Sequence, residues 1–226
     1  DKYHINHHVS DVLLTRYAAG GLGEAWSLAV ATHAALCPLC RDAIAGAESV
    51  GGALIDDIEP VPMAEHAFND VMARLDGEDM QTLEQQQCSE PISSANLFLP
   101  EPLRSYVQGE SGQSDELPWK FLGLGAYHIP IAMSDRSATA RLLRIPAGRP
   151  VPEHGHDGLE LTLVLSGAFT DGDSYFAAGD FQEADENLIH KPHAVAEEEC
   201  ICLAVTNAPL RFSSPIVRLL QPLLKI

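Results

Sequence analysis

Basic side chains are scarce in this 226-residue sequence, which has 14 lysines and arginines against 32 aspartates and glutamates and a formal net charge of −18. Nucleic-acid phosphates and anionic lipid headgroups repel so acidic a chain, which disfavours direct binding to DNA, RNA or a membrane surface. Solubility or a basic protein partner explains the charge better.

The chain also lacks long apolar runs and an even number of cysteines. No stretch approaches the roughly 20 apolar residues that a membrane-spanning helix needs. Residues 1–4 show neither the charged start nor the apolar run of a signal peptide. Five cysteines are an odd number, which argues for a reducing compartment and against a disulfide framework. We therefore expect a cytoplasmic protein.

The first 90 residues have the apolar periodicity of helices. The spacing predicts helices over 11–19, over 24–36, from 38 to about 51, and in a segment that opens at Pro62. These 90 residues carry 4 basic and 15 acidic side chains, a net charge of −11. The helical part is therefore the more acidic part of the chain for its size.

After Trp119 the sequence has the apolar patterns of β-strands. Apolar segments over 139–145, 159–169 and 200–206 are separated by glycine and proline turns, which is typical of a sandwich or barrel. A final segment over 216–226 has leucine and isoleucine at helical spacing and predicts a short C-terminal helix.

A polar stretch rich in glutamine, serine and proline separates the two patterns, with a short helical turn predicted over 103–107. We predict a small domain of about four helices over 1–87 and a linker over 88–116. The remainder, 117–226, is predicted to be a β-barrel domain with the C-terminal helix.

One imidazole and two thiols lie within eight residues of the helical part, at His33, Cys37 and Cys40. Because the residue before a proline disfavours helical geometry, Pro38 predicts that one helix ends near Leu36 and the next begins at the proline. The thiols then lie at a helix N-terminus, which favours thiolate. Two thiolates and an imidazole select tetrahedral Zn²⁺.

A fourth ligand is available among the histidines of the N-terminal stretch. His8 lies 25 positions before His33 and is the preferred candidate, with His7 a close competitor. A redox Cys-x-x-Cys pair is the alternative, but it requires a βαβ context that this helical region does not supply. The spacing His-x24-His-x3-Cys-x2-Cys resembles the zinc-binding anti-sigma motif.

A second cluster lies in the β-rich part and has the spacing of the first cupin motif. Residues i and i+2 of a strand share a face, so His154 and His156 both point into the barrel, Glu160 follows with the same parity, and His190 returns on the opposing strand. Three imidazoles and a carboxylate suit zinc, iron, manganese, nickel or copper, so the residues do not name the metal. The alternative is a barrel lined by histidines without metal.

The second cupin motif is only partly kept. Residues 185–187 are Asp-Glu-Asn where cupins usually have Pro-x-Gly, and Ala194 replaces a later asparagine. Cys200 and Cys202 are interpreted as small core residues of a strand, and Cys88 in the linker receives no role.

The order of the two motifs resembles the ChrR family of anti-sigma factors, and the resemblance covers nearly the whole chain. Besides the ligand positions, it is carried by the segments His7-His8-Val9-Ser10-Asp11, Ala31-Thr32-His33, Gly158-Leu159-Glu160-Leu161-Thr162-Leu163-Val164-Leu165 and Cys200-Ile201-Cys202-Leu203-Ala204.

The resemblance implies a zinc-stapled helical bundle followed by a cupin β-barrel or jelly roll. It implies that the helical domain binds a group IV, or extracytoplasmic-function, sigma factor and blocks its access to core RNA polymerase. The cupin domain would act in release, in response to singlet oxygen or related oxidants. The implied ligands are His8, His33, Cys37 and Cys40 for the anti-sigma zinc, and His154, His156, Glu160 and His190 for a cupin zinc or other divalent transition metal.

Two other functions fit the residues. A cupin dioxygenase or isomerase, with the helical domain as its regulator, would need an open coordination position on the metal. A binding module that senses a small molecule inside the barrel is the other possibility. We expect a regulator without enzymatic activity.

Overall fold

The computed structural model describes residues 4–75, 99–111, 117–123 and 125–213. Cys88, most of the predicted linker and the predicted C-terminal helix lie outside these residues. Within them, five helices are followed by twelve strands. The predicted order, an α-helical part and then an all-β part, is confirmed.

The helices overlap the segments that the apolar periodicity predicts, but the third continues beyond residue 51 and the fourth begins at Ala67 and not at Pro62. They are α1 (Asp11–Ala18), α2 (Glu24–Leu36), α3 (Pro38–Asp56), α4 (Ala67–Leu75) and α5 (Glu101–Ser111). Cys37 has an extended backbone (φ −107°, ψ 105°), and Pro38 opens α3. Proline suits the first position of a helix, because an N–H group at that position makes no hydrogen bond within the helix and its absence costs nothing. The prediction that Pro38 divides two helices is therefore confirmed.

Among the described residues, no single helix is long and apolar enough to cross a membrane. Helices α2 and α3 reach that length and composition only together, and the chain bends by 119° between them.

The β part consists of antiparallel strands. They are β1 (Lys120–Gly123), β2 (Ala126–Ile131), β3 (Thr139–Ile145), β4 (His154–His156), β5 (Glu160–Ser166), β6 (Ala168–Asp171), β7 (Ser174–Ala177), β8 (Phe181–Ala184), β9 (Ile189–His190), β10 (His193–Ala194), β11 (Cys200–Thr206) and β12 (Leu210–Phe212). One sheet has the order β1-β2-β3-β11-β5-β8, and two smaller sheets have the orders β10-β6-β7 and β12-β4-β9.

Strands β3 and β11 have the predicted bounds, whereas the predicted strand over 159–169 is divided into β5 and β6. Gly167 lies at the division with a φ of 70°. A side chain at this position would collide with the backbone of Glu199. Glycine is therefore required there both by conformation and by space.

The helical part and the large sheet share one apolar core. Helix α2 packs on β5 and β11, and Leu28 and Val30 of α2 belong to the same buried cluster as Leu163 and Leu203 of the sheet. Helix α5 adds Leu103 to this cluster. The predicted domain division at 87 and 117 stays a prediction, but the two parts are packed together.

The segment before α1 is held against the turn between β7 and β8. The Asp180 carboxylate accepts the backbone N–H groups of Asn6 (2.7 Å) and His7 (2.9 Å), and Phe181 N–H donates to the His7 carbonyl (3.1 Å). Further along, Ser10 N–H donates to Glu183 of β8 (2.7 Å). These bonds determine where His8 lies.

Candidate metal centres

The four residues predicted to form the first cluster come together from four different places. His8 lies in the extended segment before α1, His33 in the last turn of α2, Cys37 at the division between the helices, and Cys40 in the first turn of α3. One donor atom from each lies within 4.8 Å of the others. The adjoining ends of α2 and α3 and the distant N-terminal segment thus bring their ligand side chains to one point.

The distances within this cluster suit a tetrahedral ion. His8 Nδ1 lies 3.3 Å from Cys37 Sγ and 3.7 Å from Cys40 Sγ, and His33 Nε2 lies 3.2 Å from Cys40 Sγ. Nitrogen and sulfur ligands at their usual distances from a tetrahedral zinc are roughly 3.3–3.8 Å apart. The donor set and its spacing therefore fit such an ion.

His33 is fully buried and is oriented by the barrel. Its Nδ1 lies 3.0 Å from the Gly179 carbonyl oxygen. Since a carbonyl only accepts, Nδ1 carries the proton, and the lone pair of Nε2 points at the cluster. Burial lowers the pKa of His33 to about 4, so the ring is neutral at pH 7, as a metal ligand must be.

Cys40 differs from the sequence-based expectation. Burial raises the pKa of its thiol to about 11, although a backbone hydrogen bond with Val9 acts in the opposite direction. The helix N-terminus alone therefore does not produce a thiolate here, because desolvation outweighs it. A bound cation would supply the missing stabilisation of the thiolate.

The two neighbouring histidine candidates separate because the segment is extended. The His7 ring packs against Phe176 with 4.2 Å between ring centroids, and its Nδ1 lies 3.5 Å from Asp180. His8 points to the other side and reaches the thiols. Successive side chains of an extended segment point to opposite sides, so only one of these two histidines can enter the cluster. The contacts with the barrel determine that it is His8.

The second cluster forms where β4 meets β9. His154 and His156 are two residues apart on β4 and share a face, and His190 of β9 is paired directly with His154. All three rings are buried, and their donor atoms lie within 4.8 Å of one another. The cupin spacing thus brings the predicted histidines together.

In this cluster, the Nε2 atom of His190 lies at hydrogen-bond distance from those of the other two histidines. His190 Nε2 lies 3.1 Å from His154 Nε2 and 3.0 Å from His156 Nε2. His154 Nδ1 donates to the Pro152 carbonyl (2.8 Å), and His190 Nδ1 lies 2.6 Å from an Asp171 carboxylate oxygen. Both rings then point a lone pair at each other, an arrangement that a shared cation relieves.

Asp171 is a further residue of this cluster that the sequence does not reveal. It lies at the end of β6, accepts the His190 ring N–H, and also accepts an amide hydrogen of Gln182 (2.8 Å). A carboxylate behind a histidine ligand orients the ring and increases its basicity. No spacing rule links an acid to a histidine 19 residues downstream, so only the fold shows this pair.

Glu160, the fourth predicted ligand, takes a different position. Its Oε2 lies 3.1 Å from His156 Nδ1, and it is not among the side chains whose donor atoms mutually lie within 4.8 Å. Burial raises the pKa of Glu160, but the His156 contact and the nearby imidazoles outweigh this, and the pKa stays below its usual value. An ionised carboxylate therefore stands beside the cluster, and its ligand role stays a prediction.

A small cavity of about 80 Å³ adjoins the second cluster and is lined by Cys200 and Cys202 together with His154 and His190. Both thiols are buried, as predicted for core residues. Contact with Cys200, followed by burial, raises the pKa of Cys202 well above its usual value. The Cys202 thiol is accordingly protonated and unreactive at neutral pH.

Comparison with known proteins identifies the family of this chain. Residues 107–209 match the ChrR cupin-like domain family. Over 222 residues, which are 98% of this chain and 99% of the relative, the sequence is 46% identical to the anti-sigma-E factor ChrR of Cereibacter sphaeroides. The chain belongs to the ChrR family of anti-sigma factors.

A solved structure supports the ChrR assignment along the chain. The crystal structure of Rhodobacter sphaeroides SigE in complex with the anti-sigma ChrR matches with a TM-score of 0.73 and 43% identity, over 90% of this chain and 99% of that chain. The family predicted from the motifs is confirmed. As a ChrR-family anti-sigma factor the chain is a regulator and not an enzyme, and the cupin oxygenase alternative is set aside.

Proposed function

We propose that this chain binds and inhibits a group IV sigma factor through its N-terminal helical part, as a functional counterpart of the relative that is solved in complex with SigE. The sigma factor acts on RNA polymerase, so the proposed location is the cytoplasm. The predicted boundaries, 1–87 for the sigma-binding domain, 88–116 for the linker and 117–226 for the cupin domain, are part of this proposal.

The observation that carries the proposal is a concentration of exposed apolar side chains in the described residues 50–75. We name this set of side chains the apolar docking face. Helix α4 contains no buried residue. The large apolar side chains of the face are each 40–84% exposed, and they are Val50, Leu54, Ile55, Ile58, Val61, Met63, Phe68, Val71, Met72 and Leu75. An exposed apolar area of this extent is typical of a protein-binding surface.

Charge indicates the kind of partner. The first 90 residues have a net charge of −11. Sigma factors present basic surfaces to promoter DNA, so an acidic domain with an apolar face complements them and competes with DNA for them.

Each metal centre has a proposed ion. For the first, two thiols and two imidazoles, from His8, His33, Cys37 and Cys40, are the set that selects zinc. For the second, the imidazoles of His154, His156 and His190, with Glu160 beside them, suit zinc or another divalent transition metal. In the first centre the ion would join the segment before α1 to the ends of α2 and α3.

We also propose that the cupin part acts in releasing the sigma factor under oxidants such as singlet oxygen. The contacts that support this step run from the barrel to the first metal centre. The β7–β8 turn holds both the His33 ring, through Gly179, and the segment that carries His8, through Asp180. A rearrangement of this turn would displace two of the four proposed zinc ligands.

Replacement of Phe68 by glutamate tests the sigma-binding proposal. Phe68 is 69% exposed on α4, so the substitution leaves the core intact but places a charge in the docking face. We expect 1:1 co-purification with the co-expressed sigma factor for the unmodified chain and loss of at least tenfold in affinity for Phe68→Glu, since apolar anchors of interfaces contribute about 2 kcal/mol or more.

Phe121→Glu is the matched control, because Phe121 is 64% exposed but lies on β1 of the barrel. Sigma binding should be unchanged in this variant. Equal affinity of both variants for the sigma factor would contradict the proposed docking face, and absence of any sigma complex with the unmodified chain would contradict the function.

A further inference from the structure

A large cavity in the β part lies beside the second metal centre and shares Glu160 with it. Its volume is about 530 Å³, within the roughly 300–1,000 Å³ of small-molecule pockets. Its described lining is mainly apolar, with Leu122, Leu143, Val151, Leu210 and Phe212 among the side chains. Glu160 lines both this cavity and the small one beside His154 and His190.

The charged residues that line the cavity are mostly basic, whereas the chain as a whole is acidic. In a protein with 32 acidic and 14 basic residues, the charged side chains of the described lining are three arginines, Arg136, Arg141 and Arg149, and a single acid, Glu160. A random sample of this surface would be mostly acidic. The concentration of guanidinium groups around an apolar cavity is the pattern expected for a site that takes an organic anion.

The three arginines differ in how deeply they are buried in the cavity wall. Arg141, on β3, is partly buried, and burial lowers the pKa of its guanidinium while attraction to Glu160 opposes this. Glu160 also lies 3.1 Å from His156 Nδ1. Arg136 and Arg149 are exposed at the rim.

The rim arginines also differ from two other arginines of the barrel. Arg144 pairs with Glu199 and Arg211 with Asp157, whereas neither rim arginine makes an ion pair within the described part of the chain. The guanidinium groups of Arg136 and Arg149 remain available to a ligand.

We propose that this cavity binds an organic carboxylate with an extended apolar body. The carboxylate would interact with the guanidinium groups, and the apolar body would fill the space between β2, β3 and β12. A straight-chain fatty acid has this chemistry. The proposal goes beyond sigma binding and does not depend on it, since a ligand can bind the barrel whether or not a sigma factor is present.

Calorimetric titration of the full chain with dodecanoate, below its micellar concentration, tests the proposal. We expect saturable 1:1 binding of dodecanoate, and binding at least tenfold weaker for dodecanol, which has the same chain without the charge. Arg141→Met should lower the dodecanoate affinity by about 10- to 100-fold, since a charge-assisted hydrogen bond is lost. The affinity for dodecanol should not fall.

Two further variants keep the test decisive if Arg141→Met unfolds. The double variant Arg136→Gln/Arg149→Gln changes only exposed groups and should weaken dodecanoate binding by about two- to tenfold. Arg144→Gln is the control, because it lies on the same strand as Arg141 but outside the cavity, and it should bind as the unmodified chain does. Absence of dodecanoate binding, equal affinities for acid and alcohol, or equal losses in the rim and control variants would overturn the proposal.

Discussion

His33 is in contact with both parts of the molecule through its two ring nitrogens. Nε2 faces Cys40 at 3.2 Å, and Nδ1 donates to Gly179 of the barrel at 3.0 Å. A cation bound at Nε2 would polarise the ring and strengthen donation from Nδ1. One fully buried side chain thus couples the first metal centre to the β7–β8 turn, and no pattern in the local sequence indicates its second contact.

At the same scale, Asp171 is predicted to set the metal affinity of the second centre. Asp171→Ala removes the acceptor of the His190 ring N–H, and loss of such a partner typically lowers metal affinity about 10- to 100-fold. Chelator competition on the full chain should therefore show two release phases for zinc, of which only one shifts in the variant.

Asp173→Ala is the control for this prediction, because Asp173 lies in the adjoining turn and is exposed. Its two release phases should coincide with those of the unmodified chain. An unshifted second phase in Asp171→Ala would show that the carboxylate does not support the metal centre.

The turn between β7 and β8 is the element that joins the barrel to the N-terminal segment. Burial raises the pKa of Asp180, but hydrogen bonds from the backbone N–H groups of Ala177, His7 and Asn6 outweigh this and hold its pKa below the usual value. The stability contributed by these bonds is therefore complete above about pH 4, the unfolded pKa, and is lost as the pH falls through the lower folded pKa.

Asp180→Asn is predicted to destabilise the chain by about 1.5–3 kcal/mol at pH 7, since hydrogen bonds to a charged acceptor contribute about this much. Urea unfolding between pH 7 and pH 3 should show the difference from the unmodified chain shrinking as Asp180 itself becomes protonated. Asp173→Asn should differ little at any pH. A difference for Asp180→Asn that is constant from pH 7 to pH 3 would rule out the ionised carboxylate as its source.

For the whole molecule, the important result is that the helical part and the barrel share a core. Leu28 and Val30 of α2 are buried with Leu203 of β11, so α2 cannot lose its packing without exposing the sheet. We predict that backbone amides of α2 and β11 are protected from hydrogen exchange to a similar degree in the full chain.

Helix α4 provides the internal comparison in the same exchange experiment, because all its residues are outside the core. Its amides should exchange much faster than those of α2, and should become protected when a sigma factor binds. Fast exchange of α2 together with slow exchange of β11 would show that the two parts open independently.

Local rules explain which elements the sequence predicts well. Pro38 imposes the division between α2 and α3 through its own ring, and the apolar segments 139–145 and 200–206 have the composition of buried strands. The prediction of one strand over 159–169 is wrong, and the close approach of the Glu199 backbone to Gly167, which excludes a side chain there, is visible only in the fold. Elements determined by their own residues are predictable, and those determined by a neighbour in space are not.

The sequence by itself determined the candidate ligands, apart from the choice between His7 and His8, the order of a helical part before a cupin barrel, and the excess of acid over base, because spacing and composition are properties of the chain alone. Only the tertiary structure decided that His8 and not His7 reaches the thiols, that Asp171 supports His190, and that arginines gather around an apolar cavity in an acidic protein. Each of these depends on residues brought together by packing from distant parts of the chain, and a one-dimensional pattern does not record such distances.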